Sequence, residues 1–278
     1  MRGNGRFRRF IYYILPVATL MGLFGFLENF LLYHPNRTIE VTPASFRIVF
    51  EDVRFSAKDG TKLHGWYIPP AETDGPVLLW AHGNAGNISH RVENIALIRR
   101  QLGAGVFLFD YRGYGLSGGS PIEDGLYADA RAAYIWLANR IPPKQIFLFG
   151  RSLGAAVMVK LASEGVKARG LILESPFESL LAMGQKMFPI LPVSWIVEQK
   201  FDLATLVPTV KMPVFVLHGS QDEIVPFSQG KKVFSLAPQP KRFFKIVGAG
   251  HNNTYFSGGA EYWEAWRQFL TSPGSELH

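Results

Sequence analysis

A chain of 278 residues with 47% hydrophobic and 18% charged residues can bury a core of ordinary enzyme size, which excludes wholesale disorder. The absence of cysteine excludes disulfides, thiolate metal sites, Fe–S clusters and a cysteine nucleophile. The net charge of +7 does not point to nucleic acid: Arg2, Arg6, Arg8 and Arg9 supply four of it, and the remaining 269 residues carry only +3.

Residues 1–9 read as a basic cytoplasmic tail. From Phe10 to Leu27, 18 residues pass without a charge, and an apolar run resumes at Phe30–Tyr33. Spanning a bilayer needs roughly 20 apolar residues in a helix, so residues 10–33 are predicted to form a transmembrane anchor. The rival is a cleaved signal peptide, with an apolar region of only about 7–15 residues and a small-x-small cleavage site. No convincing site of that kind follows Leu20. Four arginines precede the segment, and only Arg37 and Arg47 follow closely. Positive charge stays on the cytoplasmic side, so everything after Tyr33 is expected outside, in the periplasm if the cell is bacterial. Asn36, Asn87 and Asn252 open Asn-x-Ser/Thr sequons. The last two fall in loops assigned to catalysis below, where a glycan would obstruct, so they are read as chance matches.

Residues 34–48 are polar with prolines and read as a stalk. Residues 49–271 carry the main domain, and 272–278 form a tail. Ile48–Phe55 and Lys62–Ile68 alternate in polarity about Lys58-Asp59-Gly60, a hairpin signal. Val77–Ala81, Val106–Phe109, Ile146–Phe149, Leu171–Leu173, Val214–Leu217 and Phe243–Val247 are short continuous apolar runs, which suit strands buried on both faces of a parallel sheet. Ser120-Pro121-Ile122-Glu123 has the form of a capping box with proline at the first helical position. It is expected to open a helix through Arg140. Further helices are predicted over Ser152–Glu164 and residues 261–270. Alternation of strands and helices predicts an α/β sheet with right-handed crossovers.

Gly150-Arg151-Ser152-Leu153-Gly154 follows one predicted strand directly and opens a helix directly, the setting of a nucleophile elbow. A serine hydroxyl needs a base, and the base needs an orienter. His251 lies in a loop after the last predicted strand, and Asp222 in a loop after the preceding one. The order Ser152, Asp222, His251 is that of a nucleophile–acid–base triad at strand carboxyl ends. Glu174 also ends a strand and is an alternative orienter. Glu223 is expected to point elsewhere. His82 and His218 read as structural, and His64 and His90 have no evident partner. The oxyanion donors are expected to be the N–H groups of Leu153, at a helix amino terminus, and Asn84, in His82-Gly83-Asn84-Ala85-Gly86-Asn87. Gly113-Tyr114-Gly115-Leu116-Ser117-Gly118 has the spacing of a dinucleotide fingerprint, but its helix begins too late for that role.

Together, His-Gly-Asn-Ala-Gly-Asn, Asp110-Tyr111-Arg112-Gly113-Tyr114-Gly115-Leu116-Ser117, Gly-Arg-Ser-Leu-Gly, His218-Gly219-Ser220-Gln221-Asp222 and Gly248-Ala249-Gly250-His251-Asn252 resemble the α/β-hydrolase family. The likeness covers roughly residues 49–271. The motifs together resemble one branch of the family, which includes membrane-associated serine hydrolases related to eukaryotic depalmitoylases and many uncharacterised bacterial relatives. The resemblance implies the α/β-hydrolase fold, with Ser152 as nucleophile, Asp222 as acid, His251 as base, and Asn84 and Leu153 as oxyanion donors. Depalmitoylase members are usually anchored through lipidated cysteines, and this chain has none.

Between residues 175 and 208, Phe177, Leu180, Leu181, Met183, Met187, Phe188, Ile190, Leu191, Trp195, Ile196 and Phe201 crowd an insertion longer than one crossover needs. It is predicted to form a short cap, with Met183, Met187, Phe188 and Trp195 contacting substrate. The sequence thus predicts a membrane-anchored serine hydrolase of carboxylic esters or thioesters, acting on medium-chain acyl groups beside the lipid bilayer. This chemistry requires no metal or organic cofactor. Acyl transfer on the same scaffold and a non-catalytic binding protein are the alternatives.

Overall fold

The structure is a computed structural model that describes residues 32–187, 190, 194 and 199–274. The anchor predicted over 10–33 lies outside the described residues except for Leu32 and Tyr33. Among the described residues no helix is long and apolar enough to cross a membrane.

An eight-stranded sheet organises the domain. Its strands are β2 (Glu51–Ser56), β3 (Lys62–Ile68), β4 (Val77–Ala81), β6 (Gly105–Asp110), β7 (Ile146–Arg151), β8 (Gly170–Glu174), β9 (Val214–Gly219) and β10 (Lys241–Ile246). Their spatial order is β10-β9-β8-β7-β4-β6-β3-β2. Only β3 runs against its neighbours. The continuous apolar runs form the central strands because both faces of the sheet are covered. Side chains of β4, β6 and β7 divide between two buried clusters, one on each side. One cluster includes α2 (Glu123–Ala138) and α3 (Leu153–Ser163). The other includes α1 (Val92–Leu102) and α8 (Gly259–Thr271). From β4 the chain passes to β6 on one side and later to β7 on the other. The carboxyl ends of β4 and β7 therefore flank the point where the strand order reverses, which is where open α/β sheets place their sites.

The capping box is corrected. Helix α2 begins at Glu123, and its cap position, Ile122, gives no side-chain hydrogen bond. Glu123 instead turns its carboxylate outward. It accepts from the N–H groups of Lys200 and Phe201 at 2.6 and 2.8 Å and from the Tyr127 hydroxyl at 2.6 Å. The side chain that would close the box is held by the returning end of the 175–208 insertion. That insertion holds α4 (Leu180–Met187) and α5 (Leu203–Leu206).

Residues 34–40, polar enough to read as a stalk, lie along the domain as a strap. Strand β1 (His34–Pro35) pairs in parallel with β5 (Ala85–Gly86). Asn36 N–H donates to the Gly86 carbonyl at 3.1 Å, and Gly115 N–H donates to the Asn36 carbonyl at 2.9 Å. The Asn87 amide donates to the carbonyls of Asn36 and Thr38 at 2.9 and 2.6 Å. Arg37 donates to the Ser117 carbonyl at 2.6 Å. Backbone groups of the strap and the Arg37 side chain thus bond to two glycine-rich loops, while most of its side chains stay exposed. A Cβ on Gly115 would lie 2.0 Å from Asp110 Oδ2, and one on Gly113 would lie 2.6 Å from Pro121 Cδ.

Candidate active site

Ser152 occupies the turn between β7 and α3 with φ 52° and ψ −118°, a conformation that costs a non-glycine residue on the order of 1–3 kcal/mol. The motif glycines make the turn possible. A Cβ on Gly150 would lie 2.2 Å from the Gly154 carbonyl oxygen, and one on Gly154 would lie 2.0 Å from that of Ala81. Strand β4, strand β7 and α3 therefore meet at backbone distance. Leu153 is the first residue of α3, and the first N–H groups of a helix have no intrahelical acceptor. Its N–H lies at the positive end of the helix dipole beside Ser152.

The loop after β4 lies against Ser152. A Cβ on Gly83 would stand 3.7 Å from Ser152 Cβ. Both ends of the Asn84 side chain are engaged: its amide donates to the Leu32 carbonyl, and its oxygen accepts from the Tyr114 hydroxyl at 3.0 Å. Leu32 and the 113–118 loop thereby hold the Asn84 side chain from both ends.

His251 and Asp222 come together as the sequence order suggests. His251 Nδ1 lies 2.8 Å from Asp222 Oδ2 and 3.0 Å from Oδ1. Both residues are buried. Asp222 also accepts from the N–H groups of Ile224 and Val225 at 3.0 and 2.7 Å. Burial raises its carboxyl, but hydrogen bonds from His218, His251 and Val225 outweigh it and hold the group well below the usual carboxylate range. An ionised Asp222 fixes the tautomer that keeps His251 Nε2 free to accept a proton.

Glu174, the alternative orienter, is occupied elsewhere. Its carboxylate accepts from the Thr254 hydroxyl at 2.8 Å and the Tyr262 hydroxyl at 2.7 Å and pairs with Arg151 Nε at 3.1 Å. Burial, then the Glu174 charge, push the Tyr262 phenol well above its ordinary range, so it serves as a neutral donor. His64 and His90 have partners after all: His64 Nε2 meets Asp52 at 2.6 Å, and His90 Nδ1 accepts from Asn87 N–H at 3.1 Å. His82 Nδ1 lies 2.6 Å from the Gly83 carbonyl oxygen, and His218 Nε2 lies 2.8 Å from that of Val225. These bonds fit the structural roles expected of both rings.

Glu223, expected to point elsewhere, turns its carboxylate to the His251 N–H at 3.0 Å, and Arg151 and Glu174 have contacts that the sequence does not reveal. Arg151 sits at the variable position of the serine motif. The available signal was a charge closing each of two otherwise apolar strands, since a buried arginine or glutamate is almost always paired. The pairing register places Arg151 opposite Glu174. Within the insertion, Met183 is half-buried against the core that also holds Leu203 and Phe201. The side chain of Met187, and all of Phe188 and Trp195, lie outside the described residues.

Comparison with known proteins follows the same lines. The profile of the family described as "Serine aminopeptidase, S33" matches residues 74–200, a stretch that contains Ser152 and ends before Asp222 and His251. The chain is 39% identical over 268 residues to an uncharacterized protein of Mycobacterium tuberculosis, covering 92% of this chain and 95% of that one. It is 35% identical over 281 residues to the alpha/beta hydrolase domain-containing protein WAV2 of Arabidopsis thaliana, covering 92% and 91% of the two chains. The solved esterase Pf2001 of Pyrococcus furiosus shares the fold, with a TM-score of 0.70 at 23% identity over 88% of this chain and 99% of that one.

Proposed function

Because the chain belongs to the α/β-hydrolase family, we propose that it is a membrane-anchored serine hydrolase of carboxylic ester or thioester bonds. The observation that carries this reading is the buried His251–Asp222 pair at 2.8 Å, with the His251 loop tied through Arg151 to the strand that leads into Ser152. His251 takes the Ser152 proton as the hydroxyl oxygen attacks the carbonyl carbon. The backbone N–H groups of Leu153 and Asn84 stabilise the oxyanion. His251 then protonates the leaving group, and water, deprotonated by His251 in turn, releases the acyl group.

The apolar composition of the 175–208 insertion supports an acyl substrate. Each buried methylene contributes about 0.8 kcal/mol, so four could give on the order of a hundredfold in kcat/KM. A small cap makes a shallow groove. We therefore expect octanoyl p-nitrophenyl ester to exceed acetyl by at least about tenfold in kcat/KM. A flat response from acetate to octanoate would remove the acyl groove. Fast cleavage of aminoacyl amides would assign the peptidase chemistry in the matched family's name. Product analysis with an added acceptor alcohol separates hydrolysis from acyl transfer. Labelling by a fluorophosphonate separates both from a binding protein.

The anchor reading draws support from the strap. Leu32, the first described residue, already touches Asn84, so an anchor before it would hold the mouth of the site close to the bilayer. The full chain is expected to resist carbonate extraction. Protease added outside spheroplasts is expected to digest the domain, and digestion only after lysis would reverse the orientation.

A further inference from the structure

His251 is held at three points. Its ring meets Asp222, its N–H donates to Glu223 Oε2 at 3.0 Å, and its carbonyl accepts from Arg151 Nη2. The neighbouring Asn252 side-chain oxygen lies 3.4 Å from the same nitrogen. Arg151 belongs to the strand that carries the nucleophile, so one guanidinium ties the base loop to the serine elbow across 100 residues of chain. Behind it, buried Glu174 joins the strap-free side of the elbow to the helices after His251: its backbone oxygen accepts from Ser152 N–H at 2.9 Å, and its carboxylate from Thr254 and Tyr262.

We propose that Arg151 and Glu174 are positioning residues for the reaction: Arg151 sets His251 relative to Ser152, and Glu174 cancels the arginine charge that would otherwise oppose the imidazolium. This rests on the serine-hydrolase reading above. The base becomes a cation as the serine attacks, and a lone guanidinium on its own peptide would raise the energy of that state. Paired at 3.1 Å with Glu174, the guanidinium keeps its hydrogen bonds and loses most of its field.

The other charges around His251 come from every packed element. Asp222, Glu223 and His218 lie on the loop and strand of β9. Arg91, just before α1, is close enough for its charge to act on Arg151 and Tyr255. Tyr255 and Tyr262 remain neutral phenols, raised first by burial and then by Glu174. Changes at 151 and 174 leave the other charges in place, so their effect can be read separately.

The test measures kcat, KM and kcat/KM against pH for the full chain in detergent with a short p-nitrophenyl ester. Glu174→Gln leaves the guanidinium uncompensated. The acid limb of kcat/KM is then expected to move down by about half a pH unit, with kcat reduced on the order of tenfold. The double variant R151M/E174Q removes both charges. Its limb is expected to return to the wild-type position while kcat stays low and KM changes less than about twofold. Arg151→Lys keeps the charge without the fork, so it should lower kcat and leave the limb in place.

A limb in Glu174→Gln that coincides with wild type, or one that stays displaced in the double variant, overturns the proposal. If Glu174→Gln fails to fold, the double variant decides, because an apolar replacement of a buried pair is tolerated better than a half-pair. Wild-type kcat in the folded double variant also overturns it. Fluorophosphonate labelling of the wild-type chain is measured alongside. Its absence sinks the serine-hydrolase reading itself, whereas labelling with an unmoved limb sinks only the positioning role.

Discussion

Replacing Ser152 by alanine is expected to lower kcat by about six orders of magnitude and to abolish fluorophosphonate labelling, with the melting temperature kept or raised. The size of the loss follows from the role of the hydroxyl. Without it no acyl-enzyme can form, and only binding and the oxyanion donors remain. The stability expectation follows from the backbone. Ser152 is held at φ 52° by Gly150, Gly154 and the contact of α3 with β4, none of which involves the hydroxyl. Alanine tolerates that conformation no worse than serine. Labelling that persists in the variant would move the nucleophile to another residue.

Asp222→Asn is expected to lower kcat by roughly 10⁴-fold, against on the order of tenfold for Glu174→Gln. Both carboxylates end up near the base loop, so the comparison discriminates between them. Asp222 meets the imidazole itself, whereas Glu174 reaches the loop through Arg151, Thr254 and Tyr262. An asparagine at 222 can still accept from the N–H groups of Ile224 and Val225, so the loop keeps its shape. It can also present an amide N–H to His251 Nδ1, which favours the tautomer with a proton on Nε2, where the serine needs an acceptor. Near-wild-type activity in Asp222→Asn with a dead Glu174→Gln would make Glu174 the acid.

The central sheet was legible because a strand buried on both faces leaves an unbroken apolar run. Val77–Ala81, Val106–Phe109 and Ile146–Phe149 all fall within strands. The elbow was legible because close approach of β4, β7 and α3 admits only glycine at 150 and 154. The hairpin about Asp59 was readable for a similar local reason: its carboxylate accepts from Thr61 N–H at 3.0 Å, which, with Arg112, brings the group down to about 2. Contacts between distant residues were not legible. Glu123 has the spacing of a capping box, yet its partners lie 77 and 78 residues away. Arg151 looks like a variable position until β8 sets Glu174 opposite it. The prolines and polar residues of 34–40 suit a solvated linker as well as they suit a strap.

That strap also bears on the order in which the molecule can be assembled. Leu32, Arg37 and Tyr33 find partners 52, 80 and 166 residues further along, at Asn84, Ser117 and Gln199. Those residues leave the ribosome well after the strap does, and closing such long loops is slow compared with forming local helices and hairpins. A segment synthesised before the sheet it joins is thus among the last to be seated. The Asn84 side chain acquires its final setting only when the nascent domain has folded back onto this segment.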